Sequence, residues 1–204
     1  MTKAVWGSGI RVAGAVILAV ASASCGTIAR QGTGSSFLIV KALEGASGAE
    51  AGTFTATLGS DVLTIVKGTP TVFNDEGRAD FALGMKDPGS SGSPTSPSQA
   101  NWITIDRYHV RYLRADGRNT EGVDVPYAFD SAVSATVSGD TSVGFTLVRQ
   151  QAKKEAPLGA LATNGLIVST IAEVTFYGHD QSGRAVSVAA SIGVTFANFG
   201  DPSS

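Results

Sequence analysis

The sequence predicts an all-β protein, a β-sandwich of about eight to ten antiparallel strands with one short helix near residues 149–161. Short runs in which apolar and polar residues alternate recur along the chain, separated by turns rich in Gly, Ser, Asp and Asn. The 25 glycines and the low share of charged residues, 16%, favour a β-rich domain over a helical enzyme. Because the chain has one cysteine, the sandwich must be stabilised by a hydrophobic core rather than by disulfides.

The first strands are expected in the half of the chain before residue 87. Residues 37–40 (FLIV) are a short apolar run between polar residues, which predicts a buried first strand. Residues 53–66 contain two alternating patches, and residues 79–85 continue the alternation after a turn. These runs predict the first few strands of one sandwich.

Residues 87–100 (DPGSSGSPTSPSQA) are the strongest low-complexity stretch of the chain. Prolines and serines at this density do not form a packed face, so the stretch is either a mobile loop or a linker between two domains. A loop within a single domain, residues 37–200, is favoured because the residues upstream would form only a marginal sandwich. A division around residues 87–100 remains the alternative.

The longest alternating run is residues 102–114 (WITIDRYHVRYLR), and neither of its two faces is apolar throughout. A bulge near Asp106 and Arg107 would exchange the two faces, and we predict one there. Asp116 and Gly117 then signal a sharp turn.

The last third of the chain carries the clearest elements. Residues 132–137 and 143–148 are predicted to pair as a hairpin. Residues 149–161 contain helix formers, but an internal proline and glycine limit the helix to one or two turns. Residues 166–177 and 184–199 are predicted to be two long strands joined by a glycine-containing turn.

The N-terminus has the order of an export signal. Lys3 and Arg11 precede an apolar run over residues 12–21, and small residues then lead to Cys25. The run is too short for a transmembrane helix, which needs about 20 residues. Residues 1–24 are therefore predicted to be a lipoprotein-type signal peptide.

Cys25 and its surroundings resemble a bacterial lipoprotein box, in which the cysteine becomes the first residue and carries lipid. Ser22 stands where that family usually has an aliphatic residue, so an ordinary signal peptide and a secreted or periplasmic soluble protein remain the alternative. Residues 25–36 are predicted to be a flexible tether. Gly26 is not the Asp that resembles an inner-membrane retention signal, which favours the outer membrane or the cell surface.

Two segments resemble bacterial immunoglobulin-like (Ig-like) and fibronectin-III-like domains. They are residues 172–196 (AEVTFYGHDQSGRAVSVAASIGVTF), which look like the closing hairpin, and residues 108–118 (YHVRYLRADGR). The chain as a whole resembles bacterial lipoproteins of uncharacterised function with one Ig-like sandwich. The resemblance implies an Ig-like fold in the cell envelope and brings no activity with it.

Charge and composition argue against several functions. The formal net charge is −2 without a basic stripe, so nucleic-acid binding has no electrostatic support. The two histidines, His109 and His179, are far apart in the sequence, and no Gly-x-Ser-x-Gly motif is present. We therefore expect neither an enzyme nor a zinc site.

Calcium is the metal that the sequence favours most. Asp116, Asn119, Glu121 and Asp124 place oxygen ligands close together in one predicted loop. The alternative is that these residues only form turns.

An aromatic face is the candidate ligand site. It contains Trp102, Tyr108, Tyr112 and Tyr127 with Arg111, and if exposed it would suit glycan stacking or a protein partner. The alternative is that these aromatic rings fill the core.

The sequence thus predicts an exported cell-envelope β-sandwich, held to the membrane by lipid on Cys25, that acts as a structural or protein-binding module. Its partner would be an envelope protein or a glycan, without a cofactor. One alternative is a carbohydrate- or calcium-binding accessory domain. Another is a surface subunit that forms homo-oligomers through edge strands.

Overall fold

The structure of the chain, a computed structural model, describes residues 34–200. Within this range it confirms the all-β, sandwich-like fold with short helical turns. The predicted signal peptide, Cys25 and most of the predicted tether lie outside the described residues. The strands and helices are β1 (Ser36–Ala46), β2 (Thr57–Asp61), β3 (Thr64–Val66), β4 (Thr69–Thr71), β5 (Asp75–Met85), β6 (Gly89–Ser90), β7 (Ser93–Pro94), β8 (Ile103–Leu113), β9 (Phe129–Val137), β10 (Thr141–Val148), α1 (Gln150–Lys154), α2 (Leu161–Asn164), β11 (Val168–Asp180) and β12 (Ala185–Ala197).

Two sheets form the sandwich. One has three antiparallel strands in the order β1-β5-β10, and the other has five in the order β2-β12-β11-β8-β9. Within the five-stranded sheet β2 runs parallel to β12, whereas the other pairs are antiparallel. β10 is therefore an edge of the first sheet and β9 is an edge of the second.

The two sheets share one core of aromatic and aliphatic side chains. Phe81 of β5 contacts Phe176 of β11 edge-on, with 4.9 Å between the ring centroids. Phe145 of β10 lies 5.3 Å from the same ring. Both contacts join the three-stranded sheet to the five-stranded sheet, which is what makes this pair of sheets a sandwich.

The bulge predicted in the longest alternating run is present at Asp106. Along β8 the pairing with both neighbouring strands shifts between Ile105 and Arg107. Ile105 and Tyr108 both face the core although they are an odd number of residues apart, which the bulge permits.

The hairpin predicted for residues 132–148 is wrong. β9 pairs with β8 in the five-stranded sheet, whereas β10 pairs with β5 in the three-stranded sheet. The chain crosses from one sheet to the other at residues 138–140, because both strands bury their apolar faces against the same core from opposite sides.

Residues 87–100 form an exposed excursion after β5. They contain the two-residue strands β6 and β7, which pair with each other. β5 precedes the excursion and pairs with β10, which follows it, so one sheet contains strands from both sides.

The first strand lies at an edge and is not fully buried. Leu38 faces the core, but Phe37 and Ile39 are exposed on the outer face of the sheet. Ser35 and Ser36, at the end of the predicted tether, are hydrogen-bonded to Asn101. In the described part of the chain no helix has the length and apolar character needed to cross a membrane.

Candidate functional site

The predicted aromatic face does not exist as an exposed surface. Tyr108 and Tyr112 are 2% and 3% exposed, because the bulge at Asp106 turns both rings into the core. Tyr108 packs against Phe145, and Arg111 points to the opposite face of the sheet, where it pairs with Glu173. The two tyrosines and Arg111 therefore cannot bind one ligand together.

The other two aromatic residues of that prediction lie apart from each other in the sequence and differ in exposure. Trp102 is half-buried directly before β8. Tyr127 is 51% exposed in the loop before β9, where its ring lies against Gly122. Tyr127 is therefore a surface aromatic residue, but the other residues of the predicted aromatic face do not surround it.

The predicted calcium ligands are engaged in other contacts. Asp116 accepts hydrogen bonds from Arg114 and Arg118, and the Arg114 bond is the main reason that the pKa of the Asp116 carboxyl is lowered well below its ordinary value. Asn119 accepts from the Arg114 N–H, and Asp124 accepts from the Thr120 N–H.

The fourth predicted ligand, Glu121, lies in a short bridge with Val125. Among residues 34–200 no three His, Cys, Asp or Glu side chains lie close enough to hold a metal ion. The described contacts of these four residues lie within their own turn, and a calcium site there stays a prediction of the sequence.

Each histidine has a carboxylate within hydrogen-bond distance. His109 Nδ1 lies 3.1 Å from Asp130, and His179 Nδ1 lies 3.2 Å from Asp106. Both pairs are partly solvent-exposed, on strands of the five-stranded sheet. These are surface pairs of the kind that contributes little to stability.

The hydroxyls of the two buried tyrosines bind backbone groups near the end of β10, where the pairing with β5 shifts between Thr146 and Val148. Tyr108 accepts a hydrogen bond from the Thr146 N–H at 3.1 Å, and Tyr112 donates to the Leu147 carbonyl at 2.7 Å. The core tyrosines thus satisfy backbone groups that no strand pairs with, which is one way in which proteins protect an edge. Tyr112 is enclosed so completely that burial strongly raises the pKa of its hydroxyl.

A buried ion pair lies next to these tyrosines and was not foreseen from the sequence. Lys153 Nζ lies 2.7 Å from Asp75 Oδ1, and the two side chains are 1% and 0% exposed. Lys153 also donates to the Asp61 carbonyl, while Asp75 accepts from Ser60 Oγ and the Gly48 N–H. The pair fastens α1 to β5 and β2.

The electrostatics of this pair are set by its enclosure. Burial raises the pKa of the Asp75 carboxyl above its ordinary value, and Lys153, Ser60 and Gly48 offset part of that rise. Both acceptors of the Lys153 ammonium, the Asp61 carbonyl and the Asp75 carboxylate, lie in the protein interior. The ion pair therefore has a structural role.

An open groove lies between the two strand edges, and we call it the edge groove. It consists of two cavities of about 350 and 370 Å³, both lined by Tyr108, Ser131 and Thr146. Ser131 belongs to β9 and Thr146 to β10, so the groove runs between the sheet edges. The remaining lining residues are Glu76, Gly77, Ala132, Gly144 and Phe145 in one cavity, and Asn74, Phe129, Asp130, Arg149, Gln150 and Gln151 in the other.

The backbone of β10 offers hydrogen-bonding groups to this groove. The Thr146 N–H points away from β5, toward Tyr108. Because alternate residues of a strand point their backbone groups to the same side, the N–H and C=O groups of Ser142 and Gly144 also point away from β5. A Cβ built on Gly144 meets no atom within 4 Å, so there is open space beside it.

Arg149 lies at one end of the edge groove, directly after β10. Its guanidinium lies over the Phe129 ring, 4.3 Å from the centroid. Its Nε is fully buried and has no hydrogen-bond partner among the described residues. Sequence reasoning missed Arg149 because it stands in a helix-forming segment and nothing local distinguishes it from an ordinary surface arginine.

Comparison of the chain with protein-family models, with curated proteins and with solved structures found no match in any of the three.

Proposed function

We propose that the chain is an exported, lipid-anchored Ig-like module of the cell envelope that binds an extended protein segment at the edge groove. The observation that carries this proposal is the free edge of β10, where Gly144 and Thr146 line an open groove and no strand of the described residues lies beside the outward backbone groups of Gly144. Strand addition to such an edge is a recurring mode of peptide recognition.

The anchor in this proposal rests on the sequence around Cys25. A basic start, a short apolar run and small residues before a cysteine are features of lipoprotein signal peptides, and the acyl chains would hold the domain at a membrane surface. The edge groove would then face partners within reach of that surface.

The anchor is tested by the intact mass of the full chain recovered from the membrane fraction of a bacterial host. We expect the mass of residues 25–204 plus diacylglycerol, with or without an amide-linked acyl chain. The C25S variant should lose the lipid and leave the membrane fraction. An unlipidated mass for the wild-type chain would refute the anchor.

The binding function is tested with a phage library of random heptapeptides panned against the purified chain. Gly144→Pro removes an outward N–H and places a ring in the open space, whereas Gly144→Ala keeps the N–H and is the matched control. We expect enriched peptides that bind the wild type and G144A but not G144P. Failure of the library to yield any binder, or equal binding to G144P, would refute strand addition.

A second candidate follows from the same free edge, since a second copy of the chain could supply the added strand. Self-assembly predicts that the purified chain forms concentration-dependent larger species in sizing experiments and that G144P remains monomeric. A wild-type chain that stays monomeric at all concentrations would exclude this candidate.

A further inference from the structure

Arg149 differs from the other arginines that the structure describes. The other six each have a carboxylate oxygen within 4 Å. Arg149 has no such carboxylate among residues 34–200, and its buried Nε lacks an acceptor. A cation that is partly desolvated and has no carboxylate partner is costly, and acceptor oxygens placed against the part of Arg149 that lines the cavity would reduce that cost.

The surroundings of Arg149 leave its charge uncompensated. The nearby Asp75 is paired with Lys153 in the interior. Asp130, which lines the same cavity, is held by Arg107 and by His109. The positive charge at this end of the edge groove is therefore available to a ligand.

The groove also offers neutral hydrogen-bond donors near Arg149. Tyr108 uses its oxygen to accept from the Thr146 N–H, which leaves the phenolic proton for a further acceptor. Ser131 lines the same cavity, as does Gln151, whose Nε2 donates one of its two protons to Glu155. Such a set of donors around a guanidinium matches the oxygens of a carboxylate, which arginine binds in a bidentate geometry.

We propose that the edge groove is selective for acidic peptides: an extended segment pairs with β10 at Ser142 and Gly144 and places a carboxylate on Arg149. This inference rests on the proposed function of the groove. The carboxylate can come from an Asp or Glu side chain or from the C-terminus of the segment, since both present the same two oxygens.

The test uses a positional-scanning set of fluorescent heptapeptides bound to the full chain. Each position carries Asp or Glu in one series and Asn or Gln in the other, and every peptide is made with a free and with an amidated C-terminus. We expect one carboxylate to be required, with an affinity loss of about tenfold or more when it is replaced by an amide. A loss of affinity in the Asn or Gln series identifies a side-chain carboxylate, and a loss on amidation identifies the C-terminus.

Variants assign the effect to Arg149. Arg149→Gln should abolish the preference for the carboxylate, and Arg149→Lys should retain part of it because lysine binds as a point charge. Arg111→Gln is the matched control, since that arginine already pairs with Glu173 and should leave the affinity unchanged. The ¹⁵N–¹H signal of Arg149 Nε should shift on titration, which gives a readout that needs no variant.

Three results would overturn the inference. Peptides that bind the wild type and R149Q equally, without a carboxylate preference, would refute the acidic selectivity and leave the groove function standing. Absence of binding by every peptide would refute both. Binding of an acidic oligosaccharide with no binding of any peptide would also refute both, because the occupant would not be a strand.

Discussion

At the scale of single residues, the stability of the protein depends on the buried pair of Lys153 and Asp75. Replacing Lys153 by Met leaves the Asp75 carboxylate enclosed without a cation. We expect the free energy of unfolding to fall by about 3–5 kcal/mol, the usual result of breaking a buried pair on one side. Equilibrium urea unfolding near neutral pH measures this loss.

The neighbouring Lys154 provides the matched control for this variant. It is exposed on the same short helix, so Lys154→Met should change stability by no more than about 0.5 kcal/mol. If K153M were as stable as K154M, Asp75 would not depend on the ammonium, and the role assigned to the pair would be wrong.

Asp180 gives a prediction about pH. Burial acts to raise the pKa of its carboxyl, but hydrogen bonds from Ser182 and Arg184 outweigh burial and lower the pKa to about 2 from the ordinary 3.8. A carboxyl whose pKa is lowered by folding stabilises the protein above its ordinary pKa, and this stabilisation is lost as the pH falls toward the lowered value.

Asp180→Asn keeps the size of the side chain and removes the titration. We expect the wild type to be more stable than D180N by about 1–2 kcal/mol at pH 6, and this difference to shrink toward zero near pH 2. Asp140→Asn, at an exposed surface pair with Lys41, should differ little from the wild type at both pH values. A D180N difference that is independent of pH would contradict the assignment.

At the scale of the elements, β11 requires a glycine at position 178, where it pairs with β8 beside the bulge. A Cβ built on Gly178 would lie 2.0 Å from the Thr104 carbonyl oxygen and 2.8 Å from Ile105 Cα. Gly178→Ala therefore forces two paired backbones apart, and we expect it to reduce the free energy of unfolding by about 1–3 kcal/mol.

Gly193 on the neighbouring strand is the control. A Cβ there meets its nearest atom, Thr57 Cγ2, at 3.7 Å, an ordinary contact. Gly193→Ala should stabilise the protein by about 0.5–1 kcal/mol, because alanine loses less conformational entropy on folding. Thermal unfolding of the two variants should shift in opposite directions, and equal shifts would contradict the steric argument.

Local sequence patterns were sufficient to predict some structural elements but not others. The bulge at Asp106 could be predicted because neither face of the β8 sequence was apolar throughout. The pairing of β9 with β10 was predicted wrongly because alternation shows that a strand has a buried face but not which strand lies beside it.

The candidate site was harder to predict than the fold. Tyr108 and Tyr112 were placed in a candidate aromatic face, but alternation alone could not say that their side of the strand faces the core. Lys153, Asp75 and Arg149 carry no local signature, since their roles depend on partners far away in the sequence. Buried charges of this kind are found from tertiary contacts rather than from periodicity.

At the scale of the whole molecule, we expect the sandwich to behave as one unit because its two sheets share a single core. β5 contributes Phe81 to that core and pairs with β1 and β10, so strands from both sides of residues 87–100 depend on each other. Residues 87–98 are exposed, and the small ribbon of β6 and β7 contributes no buried side chain. Cutting the chain there should leave the core intact.

A site-specific protease sequence inserted between Ser91 and Gly92 tests this dependence. Lengthening the excursion should be tolerated, since doubling the length of a loop costs only about 0.6 kcal/mol. After cleavage we expect the two fragments to elute together and to unfold in one transition, with the calorimetric enthalpy equal to the van't Hoff enthalpy. Fragments that separate without denaturant, or two separate transitions, would show that residues 87–100 divide the chain into independent halves. Co-elution with a single transition would mean that the whole sandwich holds the edge groove open. Each side of the groove, β9 and β10, belongs to a sheet that the common core fixes in place.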